Sequence, residues 1–122
     1  LNKCLNQFIT SFHFENMGDI WMQSWINYHD SNQVLQKHNH GCPLHGYVSI
    51  QPQHTETVFY DIKGNEEYVI KNEVGNIYLS LGYRVHAVRN LKEYDGKRIT
   101  LGYDLQTGQF NTNNINLIPM VI

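Results

Sequence analysis

The sequence predicts an all-β fold with one short N-terminal helix, and three observations carry that expectation. Breakers recur at short intervals, at Gly18, Gly41, Pro43, Pro52, Gly64, Gly75, Gly82, Gly96 and Gly108. The runs between them are rich in Ile, Val, Tyr, Phe and Thr, residue types that suit a pleated, half-buried surface. Only residues 2–12 repeat apolar side chains at helical spacing, with Leu5, Phe8, Ile9 and Phe12 on one face.

Taken in order, strands are expected over 20–29, 34–40, 45–51, 57–63, 67–71, 75–81, 85–90 and 98–105. The Asn-rich stretch 111–116 reads as a turn or frayed tail, and 117–122 is apolar enough to return as an edge strand. Eight short strands wrapped into two facing sheets make a jelly roll, whose mouth holds ligands between the sheets. No repeat or low-complexity linker interrupts the 122 residues, so 1–122 is expected to be a single domain. Leu1 is not an initiator methionine, which leaves room for a further stretch upstream.

Nine Lys and Arg stand against eleven Asp and Glu, and no basic stripe could neutralise a phosphate backbone. Nucleic acid is therefore not the expected partner. No apolar run approaches a membrane span and nothing reads as a secretion signal, so a cytoplasmic protein without membrane partners is expected. Cys4 and Cys42 do not make a disulfide framework and are read as reduced thiols.

Chemistry concentrates in the histidines. In a strand, positions i and i+2 present their side chains to the same side, so His38 and His40, in the expected strand 34–40, form a chelating pair. His86 lies 48 residues beyond His38 in a second extended run and could complete a three-point facial metal site. His13 and His29, beside aromatic residues, read as hydrogen-bonded structural imidazoles, and His54 as a solvated turn residue. The motif His54-Thr55-Glu56 also has His-x-acid spacing, but its wholly polar, proline-led segment suggests a loop, and metal geometry favours rigid elements. In the last strand, Ile99, Leu101, Tyr103 and Leu105 take one face and leave Arg98 and Thr100 on the other. A guanidinium fork with a hydroxyl two residues away suits a carboxylate.

The order His38-x-His40, the apolar run 44–50, the run 57–61, the run 75–81 leading to His86, and then Arg98-x-Thr100 resembles the Fe(II)- and 2-oxoglutarate-dependent oxygenases. It looks most like the compact members related to prolyl hydroxylases that occur in bacteria and phages, and the likeness covers residues 25 to about 105. The resemblance implies a double-stranded β-helix, iron held by His38 and His86, and 2-oxoglutarate held through its far carboxylate by Arg98 and Thr100. It also implies a carboxylate contact from Tyr28, ten residues before the first ligand, and a place for His45 lining the cosubstrate pocket behind the ligands. The implied activity is hydroxylation of a peptidyl or small-molecule substrate, with succinate and CO2 released and ascorbate as a possible helper.

The sequence departs from that family at one point: His40 stands where Asp or Glu is usual. Three neutral imidazoles leave an Fe(II) centre more positive by one unit, and imidazole suits Fe, Zn, Cu and Ni alike. Two rivals stay open. A cupin-type metal-binding protein would use His38, His40, Gly75, His86 and Asn90, with His45 in the place of its acid. A non-catalytic jelly-roll module would bind a ligand or pack in an assembly, its histidines holding either structural Zn(II), with Cys42 joining His38 and His40, or nothing. The substrate would be chosen by the loops 30–33, 41–44 and 91–97, and the oligomeric state is left open.

Overall fold

The computed structural model describes residues 1–12, 18–33, 35–108 and 117–120. Helix α1 (Asn2–Ser11) is followed by strands β1 (Ile20–His29), β2 (Leu35–His38), β3 (Leu44–Gln51), β4 (Thr55–Tyr60), β5 (Glu66–Lys71), β6 (Ile77–Leu81), β7 (His86–Asn90), β8 (Arg98–Thr107) and β9 (Ile118–Met120). The expected class, mainly β with one short N-terminal helix, is what forms. The expected return of 117–122 as an edge strand is met by β9 on the free side of β1. The expected turn over 111–116 and the expectation for His13 lie outside the described residues. No described helix is long and apolar enough to cross a membrane.

The strands make two antiparallel sheets, one in the order β6-β3-β8-β1-β9 and one in the order β2-β7-β4-β5. The chain crosses between them after β1, β2, β3, β5, β6 and β7, and the consecutive strands that share a sheet are β4 with β5 and β8 with β9. The β4–β5 hairpin is closed by Asp61, whose carboxylate accepts from the backbone of Lys63 at 2.9 Å and of Asn65 at 2.8 Å while Gly64 takes a φ of +85°. Edge strand β5 carries the exposed charges Glu66, Glu67 and Lys71, which discourage pairing with another chain.

Alternation along β8 decides where the core lies. Tyr103 and Leu105 point to the outer face of the five-stranded sheet, where they pack with Leu44, Ile20 and Leu5 of α1, flanked by Phe8, Ile9 and Met22. Gly46 of β3 is required there, because a Cβ would run into the Tyr78 carbonyl and the Tyr103 hydroxyl. Arg98, Thr100 and Gly102 alternate to the inner face, toward the second sheet. The space between the sheets is therefore mostly polar, and the tightest apolar cluster is outside it, under the helix.

Candidate metal centre

Both sheets contribute to a cavity of about 90 Å3, walled by Trp25 and Asn27 from β1, His38 from β2, His45 and Tyr47 from β3, Thr57 from β4, His86 from β7, Arg98 and Thr100 from β8, and by His40. That is room for a small acid rather than a nucleotide. His38 and His86 are cross-strand partners in the β2–β7 pair and so project to the same side, with ring centroids 4.4 Å apart. His40 joins them at 5.3 Å from His38 and 5.5 Å from His86. One ligand atom of each of the three lies within 4.8 Å of the others.

The expectation that His38 and His40 share one strand face is corrected here. Strand β2 ends at His38, and His40 follows in an irregular segment. Its position comes from two anchors instead: its backbone N–H donates to the Gly82 carbonyl at 2.8 Å, and its Nδ1 lies 3.1 Å from Asp104 Oδ1.

The proton on each ring can be assigned from its neighbours. His38 Nδ1 is 2.7 Å from the Gln36 carbonyl and His86 Nδ1 is 3.0 Å from the Arg84 carbonyl. A carbonyl oxygen can only accept, so both Nδ1 atoms carry a proton, and in the neutral tautomer the lone pair is on Nε2. Asp104 does the same for His40, whose Nε2 is buried with no hydrogen-bond partner. Burial pulls His86 down to about 4 and lowers His40 as well, helped by the neighbouring His45, so these rings are neutral near pH 7. Three imidazoles with one ring nitrogen of each within 4.8 Å of the others are a metal-binding donor set, and the oxygen acceptors at their Nδ1 atoms fix their orientation.

Two further residues complete the cluster. His45, placed by the sequence behind the ligands, is buried there: its ring stacks on His40 at 3.4 Å and its Nδ1 lies 2.7 Å from Asp104 Oδ1. Burial would raise the Asp104 carboxyl, but the hydrogen bond from His45 and the imidazoles of His40 and His45 outweigh it and hold it below the usual value. Sequence reasoning missed Asp104, although strand alternation from Arg98 through Thr100 and Gly102 leads straight to it. Trp25, also missed, stacks over His40 and His45 at 6.2 and 6.3 Å. Cys42 is a poor ligand: burial and the nearby Asp104 push its thiol up to about 12, and Sγ donates to the Leu44 carbonyl.

Arg98 and Thr100 lie in the same cavity as the imidazoles. Arg98 is only 4 % exposed, makes no ion pair among the described residues, and has a buried Nε without a partner. Burial lowers its affinity for its proton. Thr100 Oγ1 accepts from Asn27 Nδ2 at 3.3 Å, which leaves its own proton to donate. Tyr28 is not brought to this site. It is 59 % exposed on the opposite face of β1, because it pairs in register with outward-facing Ile99, whereas Asn27 pairs with Thr100. His54 is exposed and Glu56 is bound to Arg89 at 2.5 Å, so the alternative His54-Thr55-Glu56 pair does not join the cluster. Asn90 donates to the Ser31 carbonyl. No protein-family model matches this sequence, and no curated protein sequence matches it significantly.

Proposed function

We propose that this chain is a jelly-roll, double-stranded β-helix oxygenase that uses Fe(II) held by His38, His40 and His86, with 2-oxoglutarate as cosubstrate. The strand orders support the architecture: β6-β3-β8-β1 faces β2-β7-β4-β5, and the chain winds back and forth between them. The observation that carries the functional reading is Arg98. A guanidinium buried in a cavity without a counter-charge is costly unless an anion arrives to pair with it, and this one shares its cavity with three free imidazole nitrogens.

When bound, iron and 2-oxoglutarate supply the oxidising chemistry, in which O2 is consumed, the keto acid becomes succinate and CO2, and a substrate C–H becomes C–OH. The chain's own residues bind and orient. Arg98 offers a planar fork and Thr100 a hydroxyl to the far carboxylate, while Asn27 steadies Thr100. The carbonyls of Gln36 and Arg84 and the carboxylate of Asp104 hold the Nδ1 proton of each ring, which in the neutral tautomer leaves Nε2 as the donor. Asp104 also answers the missing acid ligand: two positive charges on the metal and one on Arg98 are met by the dianion and by a carboxylate one imidazole away. The substrate, peptidyl or small, would meet the open side of the cavity.

The experiment is to load the purified protein with Fe(II) anaerobically, titrate 2-oxoglutarate by calorimetry, and then measure succinate with O2 and ascorbate. Saturable binding that Arg98→Ala weakens strongly is the expected outcome. Metal-loaded protein that ignores 2-oxoglutarate would sink the reading and favour the cupin type, for which His45 in the imidazole cluster is the supporting observation.

A further inference from the structure

We propose that His40, His45 and Asp104 form a second divalent-cation site, and that it competes with the His38–His40–His86 site for the ring of His40. The ligand atoms of these three residues lie within 4.8 Å of one another. Asp104 Oδ1 is 2.7 Å from His45 Nδ1 and 3.1 Å from His40 Nδ1. Two ligands about 2.0–2.1 Å from a tetrahedral ion stand about 3.3–3.4 Å apart, so seating Zn(II) opens the 3.1 Å His40 contact by about 0.2–0.3 Å and the 2.7 Å His45 contact by about 0.6–0.7 Å. Both Nδ1 atoms meet one carboxylate oxygen from near-parallel rings, tilted by 9°, and the two rings must swing out of their stack to turn both lone pairs onto one ion. Two imidazoles and one carboxylate are a sufficient protein donor set for zinc, with a fourth position left to water.

The two sites exclude each other because of one proton. In the first, His40 gives its Nε2 lone pair and keeps the Nδ1 proton on Asp104. In the second it must give the Nδ1 lone pair, so the proton moves to Nε2 and an N–H then faces His38 and His86. A neutral imidazole has one lone pair to give, so a cation bound by Asp104 takes His40 away from the other two histidines. The competition, and with it inhibition by Zn(II), rests on the metal-centre reading above. The second site itself needs neither 2-oxoglutarate nor catalysis, so failure of the oxygenase assay leaves it standing.

The test is a Zn(II) titration of the full apo chain, read by calorimetry and by long-range 1H–15N spectra that report which ring nitrogen is protonated. Wild type should bind one Zn(II), not two. The His38→Ala/His86→Ala variant, checked for folding by circular dichroism, should still bind one, with the Nδ1 atoms of His40 and His45 metallated. Adding His45→Ala to it should weaken Zn(II) by more than the ~100-fold that loss of an outer-shell partner can cost. Should the double variant not fold, His38→Ala alone removes the first site from the half-exposed end of β2 and takes the same readout. A folded variant that binds no Zn(II), or binds it without touching His45 Nδ1, overturns the second site. Wild type holding two ions at once overturns the competition.

Discussion

Arg98→Met gives the sharpest test, because it should make the protein more stable and less able to bind its ligand. The guanidinium is buried, unpaired among the described residues, and carries a partnerless Nε. Methionine of similar length would fill the same wall of the cavity without that desolvation penalty. Replacing buried charge by an apolar group is worth up to ~1–4 kcal/mol, and about 1–2 kcal/mol is expected here, since the side chain borders a cavity instead of close-packed core. In a chain of 122 residues that raises Tm by about 3–6 °C per kcal/mol. With ligand the order reverses. Truncating one partner of a buried charge pair costs roughly 2–5 kcal/mol, or roughly 30- to 4,000-fold in Kd for 2-oxoglutarate. Wild type should gain about 2.7 kcal/mol at a ligand concentration of 100 Kd while the variant gains almost nothing. Thermal melts with and without the keto acid, on metal-loaded protein, read both effects. A Met variant that melts lower than wild type, with unchanged ligand affinity, would refute the reasoning that Arg98 is held charged and unpaired for an anion.

Gly102→Ala should push Trp25 off the imidazole stack, because a new Cβ would lie 2.8–2.9 Å from the indole; its fluorescence should shift and metal affinity should fall, and an unchanged spectrum would count against that contact. His38→Ala or His86→Ala should weaken Fe(II) or Mn(II) binding by more than ~100-fold, the outer-shell limit, whereas Asp104→Asn should stay within roughly 10–100-fold; equal losses would place Asp104 among the ligands of the first site. Asp61 should titrate below its ordinary 3.8, because the Asn65 side chain and the Asn65 backbone N–H bind its charged form. Its contribution to stability is then present above that value and lost as pH falls through the lower folded one, and an NMR midpoint at or above 3.8 would contradict the turn geometry.

Much of this was legible in the sequence, and what was not had specific physical reasons. Strand periodicity located β1, β3, β7 and β8 to within a residue or two, since long apolar alternation bounded by glycines has few other solutions. The same rule, carried two residues past Thr100 and then two more, would have found Asp104, and applied to β1 it would have chosen Asn27 over Tyr28. Tyr28 was picked by its distance along the chain from His38, which says nothing of which face a strand residue takes. His40 reaches the cluster by a route other than the expected strand pair: its backbone is held by Gly82 and its ring by Asp104, both distant in sequence, and such anchors leave no mark on local spacing. The stacking of Trp25 over His40 and His45 likewise needs three elements at once.

The placement of the apolar core explains how a small protein can keep so polar an interior. Leu5, Leu44, Tyr103 and Leu105 are buried between α1 and the outer face of the five-stranded sheet, while His45, Arg98 and Thr100 occupy its inner face, opposite Thr57 and His86 of the four-stranded sheet. Stability and ligand binding are thus written on opposite faces of the same strands, alternating residue by residue along β3 and β8. The two should come apart under mutation. Leu5→Ala removes a fully buried side chain and should cost about 2–5 kcal/mol in urea unfolding, with metal affinity per folded molecule unchanged. His86→Ala should do the reverse, losing the metal for a smaller change in stability of the apo protein. If Leu5→Ala weakened metal binding as much as His86→Ala, the sheet would be transmitting strain from one face to the other, and the separation argued here would be wrong.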